Sequence, residues 1–237
     1  MKIEAVLFDL DGTLLPMDQG EFTKAYFGGL AKRLSTHGYE AKKLIDSIIA
    51  GSEAMVKNDG KATNEAVFWK SFSEIYGADV RKDEPYFDEY YKEDFDKVKS
   101  VCGYNPDSAW AVSSIKSMGI RTALATNPLF PRIATEKRIA WAGLDIADFE
   151  LVTTYENSSY CKPSLAYYKQ ILSDLGLSAE RTLMVGNDVS EDMVAEKLGM
   201  KVFLIKECLI NRKNVDISIY PHGDFKKLLD YINELNQ

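Results

Sequence analysis

Histidine is nearly missing from this chain. His37 and His222 are the only two in 237 residues, and they stand far apart. A histidine metal set or a histidine proton relay therefore has no material to be built from. Cysteine is scarce too. Cys102, Cys161 and Cys208 are an odd number and form no Cys-x-x-Cys pair, which argues against a disulfide framework and for a reduced, cytoplasmic protein. No apolar run approaches the ~20 residues that span a bilayer, and the opening Met1-Lys2-Ile3-Glu4 is charged too soon for a secretory signal. Positive charge is in deficit: 29 Lys and Arg against 36 Asp and Glu give a net charge of -7. A nucleic-acid binder or an anionic-membrane binder needs a basic face, so neither is expected. A small anionic ligand needs only a local cation.

What is present is an ordinary globular composition, 46% hydrophobic and 27% charged, long enough for one or two domains. Residues 2–8 are a short apolar run ending in an acidic, glycine-containing turn, the pattern of a buried strand. From Phe22 the period changes. Phe22, Tyr26, Leu30 and Leu34 mark one helical face, and further stripes at 44–49, 67–75 and 86–95 make the stretch from about 17 to 100 helical throughout. Beyond 106, helices and strands alternate. Strands are predicted at 120–126, 149–153, 182–185 and 201–205. Helices are predicted at 109–118, 131–142, 164–175, 190–198 and 223–235. Such alternation implies right-handed βαβ units with helices on both sheet faces. The fold class is α/β, a doubly wound parallel sheet with an inserted all-helical domain. Residues 1–16 and 103–237 form the α/β part and 17–102 the insertion. The insertion is aromatic-rich and expected to hold its own small core, with hinges near Pro16 and between Gly103 and Pro106.

In open parallel sheets, ligands bind beyond the carboxyl ends of the strands. The first strand ends in Asp9-Leu10-Asp11-Gly12-Thr13. Two carboxylates brought together there repel unless a cation or proton intervenes, and a hard divalent cation suits oxygen ligands. The second ends in Ala125-Thr126-Asn127, a hydroxyl and an amide able to donate to an oxyanion. Cys161-Lys162-Pro163-Ser164 precedes a helix, with Pro163 fitting its first turn and Lys162 beside its start. The helix dipole does not favour a lysine there, which makes a local anion attractive. The fourth motif, Gly186-Asn187-Asp188 with Asp192, carries acids at a helix start. Each motif alone reads more simply as a turn, a cap or a solvated lysine, except the first. Together, all at strand ends, they describe a metal site beside an oxyanion site. Asn211-Arg212-Lys213-Asn214 reads as a surface loop, and Cys161 as a small buried thiol despite the charge of its neighbour.

In their order and spacing these four motifs resemble the haloacid dehalogenase-like superfamily. The insertion lies where the group of phosphoglycolate phosphatases and β-phosphoglucomutases carries a helical cap domain. The resemblance implies a Rossmann-like core and the following roles. Asp9 is a nucleophile that forms an aspartyl phosphate, and Asp11 is an acid and then a base. Mg²⁺ is held by Asp9, by the backbone carbonyl of Asp11 and by Asp188, with Asp192 supporting from behind; Asp188 is favoured over Asp192 as the direct ligand. Thr126, with Asn127, binds phosphoryl oxygens, and Lys162 holds Asp9 and the phosphate together. Dehalogenating relatives lack an acid at the place of Asp11, so phosphoryl chemistry is preferred. The implied activity is Mg²⁺-dependent hydrolysis of a small phosphorylated metabolite by a monomer or homodimer. A sugar-phosphate mutase and a non-catalytic phosphometabolite-binding regulator are the alternatives. The cap is expected to set substrate choice.

Overall fold

The computed structural model describes residues 2–237. Strand β1 (Ala5–Phe8) is followed by helices α1 (Gln19–Ser35), α2 (Ala41–Val56), α3 (Asn64–Tyr76) and α4 (Glu84–Glu89). Then come α5 (Pro106–Ser117), β2 (Arg121–Leu124), α6 (Arg132–Trp141), α7 (Leu165–Leu175), β3 (Thr182–Gly186), β4 (Lys201–Ile205), β5 (His222–Gly223) and α8 (Phe225–Asn236). Short polar side chains start most of the helices. Asp18, Thr63, Asn105, Ser164 and Asp224 each accept a backbone N–H of the first turn, satisfying donors a helix otherwise leaves free.

The strands form one parallel sheet in the order β2-β1-β3-β4-β5. Side chains alternate across it. Val6 and Phe8 enter the larger apolar cluster, which α5 and α8 cover, and Leu7 enters a second cluster with Tyr167, Tyr168 and Met184. Phe8 lies level with Leu124 on one side and Val185 on the other. The residues that follow these three neighbouring strands therefore emerge side by side at the sheet's carboxyl edge.

Between β1 and α5 every regular element is helical. After α4 the helix tightens and loosens, through a π turn at Tyr90–Asp94 and a 3₁₀ run at Phe95–Val101. The two connections lie against each other: Met17 and Cys102 form an antiparallel bridge, and Gly103 N–H donates to the Pro16 carbonyl at 2.7 Å. The insertion does not have a core of its own. Its Phe22, Leu30, Phe72 and Phe95 belong to the same continuous cluster as Phe8, Leu10 and Trp141. Helix α3 is also stitched to the sheet side. Asn64 N–H donates to the Ser158 carbonyl and Glu65 N–H to that of Tyr155, both at 2.8 Å, while the buried Asn64 amide reaches the Pro128 and Tyr160 carbonyls.

Three local expectations need correction. Residues 149–153 run beside β2 as an edge segment and not as a full strand: Glu150 N–H donates to the Thr122 carbonyl at 2.9 Å, Leu124 N–H to that of Leu151 at 2.8 Å and Thr153 N–H to that of Leu124 at 3.0 Å, with one parallel bridge, Val152 to Leu124. The stretch 190–198 is not an α-helix but a 3₁₀ turn at Met193–Leu198, since Asp188 and Asp192 take the backbone N–H groups before it. Pro163 lies ahead of α7, whose cap is Ser164. Strand β5, two residues long, has no readable pattern in the sequence.

Candidate active site

Asp9 leaves β1 between β2 and β3 and is almost fully buried. Both its carboxylate oxygens are held: Lys162 Nζ donates to Oδ1 at 2.8 Å and the Thr13 hydroxyl to Oδ2 at 2.8 Å. Gly12 makes the turn between them with φ +88, and a Cβ there would collide with the Asn187 amide. Only glycine fits this conformation and this approach at once. The same Thr13 hydroxyl lies 3.1 Å from Asn187 Oδ1, so its single proton is shared between Asp9 and Asn187 and ties the first motif to the fourth.

Lys162 lies behind Asp9, 2% exposed, and bridges to Asp192 Oδ1 at 2.7 Å. Burial alone would lower the ammonium pKa, but Asp192 and Asp9 outweigh it and hold it well above its ordinary value. Burial, reinforced by Asp9 and partly offset by Lys162, raises the Asp192 carboxyl to about 7. Asp192 Oδ2 accepts the Asp188 backbone N–H at 2.9 Å. Asp188 spends one oxygen on the Ser190 and Glu191 N–H groups and the other on Arg212 at 2.8 Å. Arg212 lies in the exposed loop expected of it, and its guanidinium reaches from there to Asp188.

Asp11 points the other way, toward Arg138. One of its oxygens takes the Arg138 guanidinium and the other, Oδ1, is buried without a partner. Burial raises the Asp11 pKa, against the pull of Arg138. Arg138 is fully buried on α6, with its guanidinium 4.4 Å from the Phe130 ring centroid. The sequence reading missed it, and also Gln19, whose amide donates to the Asp11 carbonyl at 3.3 Å, and Glu191, which takes the Asn127 amide at 3.1 Å. An arginine among Ala134, Ile139 and Trp141 on an apolar helix face was the available signal for Arg138.

Asp9, Asp11, Thr126, Asn127, Asp188 and Asp192 together line a polar cavity of about 190 Å³. Lys162 does not line it. Among the described residues, no three His, Cys, Asp or Glu side chains form a metal-binding group. The implied ligand set asks for only two such side chains and one backbone carbonyl. Its donors are hard oxygens, as Mg²⁺ prefers. Around the cavity, Asp9, Asp11, Asp188, Glu191 and Asp192 face only Lys162, Arg138 and Arg212 as cations, and the Asp11 and Asn127 Oδ1 atoms are buried and unpartnered. An excess of negative charge with free oxygens fits a divalent cation.

The family model for haloacid dehalogenase-like hydrolases matches residues 3–198. The chain belongs to that family. A glyceraldehyde 3-phosphate phosphatase of Methanocaldococcus jannaschii is 26% identical over 241 residues, 99% of both chains. Among solved structures, a HAD phosphatase from Thermococcus onnurineus covers all of both chains at 19% identity with a TM-score of 0.60. The magnesium-bound HAD-hydrolase YfnB of Bacillus subtilis also covers both completely, at 18% identity and a TM-score of 0.53. These structures share the fold: an α/β parallel sheet with an inserted helical segment. As a family member aligned end to end with a phosphatase, the chain is a phosphohydrolase. No helix among the described residues is long and apolar enough to cross a membrane.

Proposed function

We propose that this phosphohydrolase removes phosphate from a small phosphomonoester, with Mg²⁺ and through an aspartyl phosphate on Asp9. The observation that carries the reading is the convergence of Asp9, Asp11, Thr126 and Asp188 on one small polar cavity, over a buried Lys162. Asp9 is oriented from behind by Lys162 and from the side by Thr13, which leaves its cavity face for attack on phosphorus. Pre-organised geometry of this kind supplies much of the rate in displacement chemistry. Thr126 and Asn127 donate to the phosphoryl oxygens.

Asp11 carries a proton on the oxygen that Arg138 leaves free and gives it to the departing ester oxygen. The same carboxylate then takes a proton from the water that attacks the acyl phosphate, returning Asp9 and releasing inorganic phosphate. Asp9, Asp188 and the Asp11 carbonyl would hold Mg²⁺, whose charge offsets the repulsion between carboxylate and phosphate when it is bound. Asp192 fixes Lys162 and the Asp188 backbone rather than touching the ion. Residues 17–102 act as the cap domain over the core made by 1–16 and 103–237. The free cysteines fit a cytoplasmic setting.

The test is phosphate release from a panel of phosphomonoesters with Mg²⁺ and with EDTA. Mg²⁺-dependent release is expected. Isomerisation of a sugar phosphate without release would make the protein a mutase, and binding without either would make it a regulator; both outcomes overturn the proposal.

A further inference from the structure

A second cavity, about 260 Å³, adjoins the polar one and shares Asp11, Gln19, Leu129 and Phe130 with it. It lies between the insertion and the α6 side of the sheet. Its wall is aromatic, with Phe22, Tyr26, Phe68, Trp69 and Phe130 among its residues. Among the described residues that line it there is no Lys, Arg or His, and the one charged side chain is Asp11, at the junction. The nearby Arg138 is stacked behind Phe22 and Phe130 with its charge met by Asp11. The Tyr26 and Tyr91 hydroxyls share one hydrogen bond at 2.8 Å. The buried Trp69 indole N–H has no partner.

Position assigns the second cavity its occupant. A phosphoryl group facing Asp9 has its ester oxygen at Asp11, where the two cavities meet, and its organic group in the aromatic one. A carboxylate or second phosphate there would lose its water with no cation to replace it, and would face Asp11. A polyhydroxylated group would have to satisfy its hydroxyls from Gln19, Thr23, Ser52, the tyrosine hydroxyls and the Trp69 N–H while most of its surface lay against rings. A flat apolar group gains area burial and ring packing. At about 260 Å³ the space is just below the ~300–1,000 Å³ of ligand pockets, enough for one ring and a short chain.

We infer that the substrate is a phosphomonoester of an alcohol whose remaining part is uncharged and built around a single aromatic ring or its equivalent. This rests on the phosphatase reading above and specifies its substrate class.

The test compares kcat/KM of the Mg²⁺-loaded full chain for 2-phenylethyl phosphate, glycerol 3-phosphate and 2-phosphoglycolate. All three have alkyl leaving groups, which keeps leaving-group chemistry similar. The phenylethyl ester should be preferred by at least about tenfold, the discrimination expected of an apolar pocket. Equal or better turnover of glycerol 3-phosphate or 2-phosphoglycolate overturns the substrate class and leaves the phosphatase reading standing. No phosphate release from these three or from p-nitrophenyl phosphate removes the phosphatase reading and this inference with it. Thr23→Arg gives a second readout. Thr23 is an exposed residue of α1 at the cavity wall, and arginine is the better helix former, so the fold is retained. The added cation should raise 2-phosphoglycolate relative to 2-phenylethyl phosphate by about fivefold or more, the size of a modest charge contact. An unchanged ratio means this cavity does not hold the organic group.

Discussion

Arg138 grips one oxygen of Asp11 from inside the protein and leaves the other, equally buried, with nothing. The pair splits one carboxyl into a fixed half and a free half. The guanidinium is itself tied down, donating to the Ala134 carbonyl at 3.2 Å and the Thr135 hydroxyl at 3.3 Å. Asp11 is thus aimed without being neutralised at the atom that would move a proton.

Replacing Arg138 with Met should push the Asp11 pKa further up, because burial already raises it and Arg138 opposes that. The limb of the kcat/KM pH profile on which activity falls as Asp11 loses its proton should move to higher pH. Activity at pH 7 should fall because the carboxyl is no longer aimed. Removing one partner of a buried pair typically costs ~3–5 kcal/mol, so the melting temperature should drop, and Arg138→Lys should restore part of it. A fall in melting temperature with an unmoved pH profile would reduce Arg138 to a structural residue.

Asp9→Asn should abolish steady-state turnover and leave the far-ultraviolet circular dichroism unchanged. The amide is nearly isosteric, and its one oxygen can still accept from Lys162 while its NH₂ donates to the Thr13 hydroxyl oxygen, but it is a poor nucleophile. Near-normal turnover in a homogeneous sample would remove the covalent mechanism.

How far the sequence led can be judged at these same residues. Asp9, Asp11, Thr126 and Asp188 were readable as candidates because strand ends converge by topology, and strands that are buried on both faces are continuous apolar runs; Lys162, in the loop ahead of α7, was readable only from its motif. Arg138 was not, because its pairing with Asp11 spans 127 positions and no local pattern encodes it. Residues 149–153 were legible in part: the run does hydrogen-bond along β2, but it stays a one-bridge edge and not a full strand. The separate core expected of the insertion failed for a related reason. Helical spacing shows that Phe22 and Phe95 are buried, not what buries them.

Asp188→Ala should raise the Mg²⁺ concentration needed for half-maximal activity more than Asp192→Ala does. Asp192 is engaged with Lys162 and with the Asp188 backbone, so its loss should appear first as lost stability. The opposite ranking in a Mg²⁺ titration would exchange the two roles.

The metal-free protein should lose stability as pH rises from about 5 to 8. Burial raises the Asp192 carboxyl from 3.8 to about 7. A group whose folded pKa is raised contributes stability that is fully present below its unfolded pKa and is lost as pH rises through the folded one. Urea unfolding in EDTA at pH 5.5 and 7.5 measures the difference, and Asp192→Asn should flatten it. An equal slope in the variant would assign the effect elsewhere.

Alkylation at pH 8 should spare Cys161. Burial pushes its thiol up to about 12, and thiolate, not thiol, is the nucleophile. Cys208, half-exposed, should react first. Mass spectrometry of the peptides reads the order, and early labelling of Cys161 would contradict its burial.

Thr13 and Asn187, joined by a hydrogen bond, are 174 positions apart, and Lys162 meets Asp9 across 153. A ribosome therefore finishes the nucleophile long before the cradle that makes it useful. Until the later strands dock, β1 lacks its β3 neighbour and Asp9 lacks its lysine, with only the nearby Thr13 hydroxyl made alongside it. Half-made chains are consequently inert toward phosphoesters, and what they display instead is Val6-Leu7-Phe8, an unpaired apolar edge open to association. Catalytic competence becomes a property of the completed sheet, so recovered activity after dilution from denaturant counts molecules that have closed it.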